Sequence, residues 1–238
     1  MASKLAGKIA LVTGGSRGIG RAIAEALLEE GAQVTICGRS QESLDQAVQE
    51  LSAKGEIAGK TCNMGRSEEV EALLGFVAER FGGLDILVNN AGVGHFAPIH
   101  QLSLEQWREV IDTNLSGVFY ATRAAVPMMQ KRGGGFILNI GSLAGKNPFA
   151  AGAAYNASKF GLNGMSEAMM MDLRYENIRV SQIMPGSVET EFRPGGSDEA
   201  DWKLSTRQIA ETAVHLITMP ERNLASRIEM RPSRPPRK

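Results

Sequence analysis

Seven short runs rich in apolar and β-branched residues recur along this chain, each but the last followed by a longer stretch of helical periodicity. They read KIALVT (8–13), QVTIC (33–37), IAGKTC (57–62), DILVNN (85–90), GFILNI (135–140), RVSQIM (179–184) and RIEM (227–230). Several are nearly continuous in apolar residues rather than alternating, the pattern of strands covered on both faces. Between the first two, Ile19, Ile23, Ala26 and Leu27 recur at i, i+4, i+7 and i+8, which makes one apolar stripe on a helix. Gly31 is a natural stop for that helix. The next opens at SQESL, where Ser40 and Ser43 compete as N-cap. Such alternation predicts an α/β fold, a parallel sheet with right-handed crossovers and helices on both faces. No linker, low-complexity block or repeat divides it, so residues 1–230 read as one domain. The basic, proline-rich tail RPSRPPRK (231–238) lacks apolar anchors and is expected to be extended or frayed.

The bulk numbers narrow the function. The 238 residues are 43% hydrophobic and 22% charged, with zero formal net charge, enough for one sizeable core. Zero net charge argues against a nucleic-acid binder, whose affinity comes mainly from phosphate neutralisation. No apolar run approaches the length of about eighteen residues that spans a membrane. The N-terminal MASKLAGKIALVTGG has too short an apolar stretch for a signal peptide. Cys37 and Cys62 lack CxxC spacing and are not grouped with His95, His100 or His215. They read as reduced, buried thiols with no metal, which fits a cytoplasmic location.

TGGSRGIG (13–20) lies between the first strand and the first helix, where a doubly wound sheet binds dinucleotides. Gly14 permits the turn, Gly18 lets the backbone approach a pyrophosphate, and Gly20 lets the helix pack closely on the strand. The helix N-terminus adds free N–H groups and a positive dipole end. Taken alone, the motif also admits a purely structural reading, and its Gly-x-x-x-Gly-x-Gly spacing differs from the commoner dinucleotide fingerprint. The second strand ends ICGRS. An NAD site usually carries an acid here for the ribose 2′-hydroxyl. This chain has Gly38, then Arg39 and Ser40, with Arg17 in the glycine loop. Two guanidiniums suit a 2′-phosphate, so NADP(H) is expected over NAD(H).

AAYNASKFG (153–161) places Tyr155 and Lys159 on one helical face. With this pair the chain resembles the short-chain dehydrogenase/reductase family over nearly its whole length. The resemblance rests on TGGSRGIG at 13–20, NNAG at 89–92, DTNLSGVF at 112–119, NIGSLAG at 139–145, YNASK at 155–159 and PGSVETEF at 185–192. It implies a single Rossmann-like domain with a seven-stranded parallel sheet and a catalytic set of Asn114, Ser142, Tyr155 and Lys159. Tyr155 would exchange a proton with a carbonyl oxygen as hydride moves. A free phenol has a pKa near 10; lowering it by about 3 needs roughly 4 kcal/mol, which the Lys159 charge and an oxidised nicotinamide would supply. Lys159 would also bond the nicotinamide ribose, Ser142 would hold the substrate oxygen, and Asn114 would hold a relay water.

The same resemblance assigns cofactor contacts to Gly14, Ser16, Arg17, Gly18, Ile19, Gly20, Arg39 and Ser40. It adds Asn63 and Met64, then Asn90, Ala91 and Gly92 on the adenine and ribose side. Pro185, Gly186, Val188 and Thr190 would cover the nicotinamide. His95, Leu143, Phe149, Met184 and Phe192 would border the substrate pocket, under a short lid from Gly186 to about Leu204 made mobile by Gly195 and Gly196. Two departures stand out: Asn63 replaces a usual Asp, and the C-terminus lacks the glycine-rich ending of many ketoacyl reductases. The implied activity is NADP(H)-dependent interconversion of a ketone and a secondary alcohol, a 3-oxoacyl thioester being one substrate class. The alternatives are an NAD(H)-dependent alcohol dehydrogenase and a non-catalytic, cofactor-sensing binding protein. A homodimer or homotetramer is expected; Met165, Met169, Met170 and Met171 of the helix after Tyr155 either fill the core or, with a helix at roughly 104–130, pack against symmetry mates.

Overall fold

The structure, a computed structural model, describes residues 3–190, 192 and 201–236. Its strands are β1 (Ile9–Thr13), β2 (Gln33–Gly38), β3 (Ile57–Thr61), β4 (Ile86–Asn89), β5 (Gly135–Ile140), β6 (Ile178–Pro185) and β7 (Arg227–Met230). All pairings are parallel, in the order β3-β2-β1-β4-β5-β6-β7. Each strand falls within about two residues of the apolar run that predicted it, as expected where continuous burial rather than a turn sets the element.

Successive strand residues point to opposite faces, and both faces are dry. Ala10 and Val12 of β1, Val34 and Ile36 of β2 and Ile86 and Val88 of β4 meet three helices on one side. These are α1 (Gly18–Glu29), α2 (Gln41–Leu51) and α7 (Thr206–Ile217). Ile9, Leu11, Leu87, Ile137 and Val180 meet α3 (Ser67–Phe81), α5 (Gly117–Lys131) and α6 (Ala153–Leu173) on the other. Cys37 and Cys62 are free, buried thiols, each 3.8 Å from Met64 Sδ. Met165, Met169 and Met170 also fill this second core, while Met171 is exposed.

The local signals act as anticipated. Gly31 takes a left-handed φ of +87° just past α1. Ser40 wins the capping of α2, its hydroxyl accepting from the Ser43 amide at 3.3 Å. The expected helix at roughly 104–130 runs without a break as α4 (Leu104–Ile111) and α5, joined by a π-helical turn at Asp112–Ser116. Such a wider turn carries an extra residue and often marks a functional position; here it holds Asn114. Among the described residues no helix is long and apolar enough to cross a membrane. Tail residues 231–236 have no regular structure and are mostly exposed; residues 237 and 238 lie outside the described residues.

The chain runs outward from β1 to β3, then returns to place β4 on the other side of β1. The loops leaving β1 and β4 therefore diverge, and the crevice at their C-terminal ends is where open α/β sheets bind ligands. At the opposite end Asp85 ties the same two strands together. Its buried carboxylate accepts from the Ile9 amide at 2.9 Å and pairs with Arg132 at 3.0 Å and Lys8 at 3.4 Å. Asp85→Ala strands a buried N–H and is expected to lower the unfolding free energy by about 2 kcal/mol in urea titration. Dinucleotide affinity should be unchanged, because the crevice lies at the far end of the strands.

Candidate active site

The glycine loop is shaped by a clasp between β1 and β4. The Thr13 hydroxyl accepts from the amides of Asn90 and Ala91, both at 3.0 Å, and donates to Val88 O at 3.3 Å. The Asn90 side-chain amide donates back to the carbonyls of Thr13 at 2.9 Å and Gly14 at 3.1 Å. A Cβ on Gly20 would overlap both Asn90 Nδ2 and the Gly14 carbonyl. Asn90, expected to line the adenine and ribose side, thus aims its amide at the loop. It sets the loop's shape, while Ala91 packs on the core beneath α3, α5 and α6 and Gly92 lies beside Asn114.

This cradle fits a dinucleotide. Gly14 and Gly18 adopt left-handed φ of +65° and +56°. The first turn of α1 has neither a side-chain cap nor an acidic residue, so its N–H groups remain for an anion. α4 and α7, by contrast, start with complete capping boxes at Ser103 and Ser205. Gly18 looks across toward Thr190, whose Cγ2 would lie 3.6 Å from a Cβ placed there. Ile19 packs its side chain on the α1-side core instead.

At the end of β2, Ser16 Oγ would sit 3.2 Å from a Cβ on Gly38. A side chain at this position would press on the Ser16 hydroxyl, and glycine leaves no acid there. Arg17 is exposed at the loop. Arg39 pairs with Glu109 of α4, Nη1 to Oε1 at 2.7 Å. Asn63 and Met64 follow β3 at the turn into α3. Asn63 Oδ1 closes a turn on the Gly65 amide at 3.0 Å, and the Met64 side chain is buried against the two cysteines.

The four residues of the expected catalytic set gather at the other end of the crevice. Lys159 is 5% exposed, donates to Ile140 O at 2.9 Å, and lies 5.7 Å from the centre of the Tyr155 ring. Among the described residues no carboxylate pairs with it, and burial pushes its ammonium down to about 8. Ser142 leaves β5 in extended conformation, and its Oγ accepts from the Ala144 amide at 3.1 Å. Asn114 is buried in the π turn. Its Oδ1 accepts from Val93 N at 2.8 Å, and its Nδ2 donates to Val93 O at 2.9 Å and Ser158 Oγ at 3.1 Å. Ser158 in turn donates to Tyr155 O at 2.8 Å. Asn114 thereby links the loop after β4 to the helix that carries Tyr155 and Lys159.

Three phenylalanines surround Tyr155. Ring centroids lie 5.7 Å away for Phe96, 6.5 Å for Phe149 and 5.6 Å for Phe192. Phe149 and Phe192 were anticipated; Phe96 was not, because one aromatic residue in a loop carries no periodic signal. Gly94 lets the two rings approach, since a Cβ there would press on Phe96 and Phe192. Ala151, at φ +62°, accepts from the Ala97 amide at 3.0 Å and so joins the loops of Phe96 and Phe149. Asn156 secures the second loop through Phe149 O at 3.1 Å.

Leu143 is packed beside Gly186. Met184, expected at the pocket border, is instead buried beside a separate hollow lined by Lys146, Phe160, Asn163 and Glu229. The β6 register turns its side chain that way. His95 faces Glu109, Nε2 to Oε2 at 2.7 Å, rather than the ring cluster. The anticipated lid is anchored where Val188 bridges Leu204, and Pro185 ends β6 in the buried interior. Gly195 and Gly196 lie outside the described residues.

A seven-stranded parallel sheet with a glycine-rich first crossover, and a tyrosine over a buried lysine at its switch point, define a dinucleotide-dependent oxidoreductase class. The chain belongs to the short-chain dehydrogenase family, whose profile matches residues 8–200. It is 40% identical over 190 residues to dehydrogenase/reductase SDR family member 4 of Oryctolagus cuniculus, covering 79% of this chain and 73% of that protein. It is 38% identical over 191 residues to a 3alpha-hydroxysteroid dehydrogenase of Mediterraneibacter gnavus, covering 79% and 76%. The crystal structure of a metagenomic short-chain oxidoreductase in complex with NADP superposes with a TM-score of 0.86 at 39% identity, over 97% of this chain and 100% of that one.

Lys159 yields a test that does not depend on turnover. Its folded pKa of about 8 lies below the unfolded value of 10.5. The folded state therefore carries the full cost of the buried charge below pH 8, and stability rises as pH climbs from about 8 toward 10.5. Lys159→Met is expected to stabilise the cofactor-free protein at pH 7 by about 2 kcal/mol, the desolvation cost less the lost Ile140 bond. The gain should shrink by pH 10 in urea titrations; a less stable variant at pH 7 would contradict the reading.

Proposed function

We propose that this protein is an NADP(H)-dependent oxidoreductase that interconverts an apolar ketone and its secondary alcohol. The observation that carries this reading is the Tyr155 ring above the buried ammonium of Lys159, which among the described residues has no carboxylate partner, walled by Phe96, Phe149 and Phe192. A buried cation without a counter-anion is costly unless an anion forms beside it, and the phenolate left when Tyr155 gives up its proton is such an anion.

The bound nicotinamide supplies hydride to the carbonyl carbon, or takes it from the alcohol. The protein's own residues manage the proton and the geometry. The Tyr155 hydroxyl protonates the carbonyl oxygen as negative charge develops there, and Lys159 favours the phenolate that remains. Ser142 Oγ already accepts from the Ala144 amide, which leaves its hydroxyl proton to donate to the same substrate oxygen. The Asn114 side chain is engaged with Val93 and Ser158, so a water on the path to Lys159 would be held by the backbone of the π turn. The aromatic wall excludes water and favours apolar ketones, including the acyl end of a 3-oxoacyl thioester, over sugars or multiply charged substrates.

Arg17 and Arg39, the glycine in place of an acid at Gly38, and the NADP complex of the structural relative support NADP(H) over NAD(H). Trp107, Phe119, Phe160 and Met171 are exposed on α4, α5 and α6, which supports a homo-oligomer built on those helices. Tyr155→Phe should reduce turnover by about 10³-fold or more, within the range of general acid loss, while NADPH still binds. The assay is nicotinamide absorbance across ketones, 3-oxoacyl thioesters and alcohols, with NADPH and NADH in parallel; full activity in the variant would refute the mechanism.

A further inference from the structure

Glu109 occupies a position that the proposed chemistry leaves unassigned. It lies on α4, and its two carboxylate oxygens serve two different loops. Oε1 accepts from Arg39 Nη1 at 2.7 Å, just past β2, and Oε2 meets His95 Nε2 at 2.7 Å, past β4. These contacts, His95 first and Arg39 second, hold the Glu109 carboxyl below the usual carboxylate range. The Arg39 side chain is 59% exposed and that of Glu109 39%, so this pair can open without burying a charge.

We propose that Glu109 is a cofactor-discriminating residue, an intramolecular competitor with the 2′-phosphate of NADP(H) for the Arg39 guanidinium. The inference rests on the reading of Arg39 as a 2′-phosphate ligand. A phosphate monoester is doubly charged and uses the guanidinium fork in pairs of parallel bonds. One arm of that fork is held by a carboxylate, so the phosphate must displace the carboxylate or share the guanidinium with a like charge. NAD(H), with a 2′-hydroxyl, makes no such demand. His95 makes the exchange feasible: when Arg39 turns to the phosphate, Glu109 keeps a hydrogen-bond partner on its other oxygen. The molecule thus discriminates by three features of one corner: Gly38 with Ser16 beside it removes the NAD-selecting acid, Arg39 attracts the phosphate, and Glu109 tempers that attraction.

The test is equilibrium binding of NADPH and NADH, by nicotinamide fluorescence at fixed low salt, to the wild-type protein, Glu109→Gln, Arg39→Gln and the double variant. Glutamine keeps the size and hydrogen bonding of Glu109 and removes its charge; its exposed site makes it compatible with folding. Exposed ion pairs are worth up to about 1 kcal/mol, so Glu109→Gln should tighten NADPH about threefold to fivefold and leave NADH within about twofold. In the Arg39→Gln background the same substitution should have no selective effect, because the group competed for is gone. If Glu109→Gln leaves NADPH affinity unchanged or weakens it while Arg39→Gln selectively weakens NADPH, the competition is refuted and the 2′-phosphate reading stands. If Arg39→Gln leaves the NADPH-to-NADH ratio unchanged, both fail. A Glu109→Gln gain that persists without Arg39 shows direct repulsion of the phosphate and also overturns the proposal.

Discussion

The clasp between Thr13 and Asn90 is the contact on which the rest of the site depends. It lies where the sheet reverses its winding, with β1 and β4 adjacent and their following loops parting. Backbone groups at that fork have no strand to pair with, and buried unpaired groups are costly. The hydroxyl of Thr13 and the amide of Asn90 satisfy them through four bonds of 2.9–3.1 Å, and so fix the glycine loop within the chain itself. The loop is thereby preorganised, its form set by protein contacts rather than by a phosphate. Gly20 is required for a related reason: the clasp occupies the space its side chain would need.

A second set of buried polar contacts seats α6 on the sheet. Asn139 of β5 accepts from Asn89 of β4 at 2.9 Å and donates to Ser166 of α6 at 2.9 Å. Gln182 of β6 donates to Asn163 of α6 at 2.9 Å, and Asn163 donates to Gly145 O at 2.8 Å. Apolar packing alone would let a helix slide along the sheet, whereas directional bonds between strand and helix residues fix its register. That register delivers Lys159 to Ile140 O and sets the Tyr155 ring over the crevice. Burial lowers the affinity of Lys159 for its proton, the direction expected of an ammonium removed from water.

The aromatic surroundings of Tyr155 come from loops. The wall around Tyr155 draws Phe96 from the loop after β4, Phe149 from the loop before α6, and Phe192 from the segment after β6. None of these positions is dictated by the sheet, which is how one fold hosts many specificities. The left-handed conformation of Ala151 is the local strain that accompanies the joining of the first two loops, and strain of this kind concentrates at functional sites.

How much of this was legible in the sequence depends on the range of the interaction concerned. The strands were readable because burial on both faces leaves a continuous apolar run, as IALVT and ILVN show. The glycine loop, the Ser40 cap and the Tyr155–Lys159 pair were readable because each is a local geometry with its own residue chemistry. The π turn around Asn114, the inward amide of Asn90, the buried side chains of Met64 and Met184, and the place of Phe96 were not. Each is decided by a partner 20 or more residues away, or by which face a strand or loop turns toward its neighbours; Asn114 bonds to Val93 and Ser158, for example. Sequence alone determined the layered parallel sheet and the chemical identity of the reactive groups, because periodicity and local backbone preference act within a few residues. Only the tertiary structure decided which of those groups meet, and that Glu109 stands between Arg39 and His95, because such contacts exist only once separate strands and helices are packed.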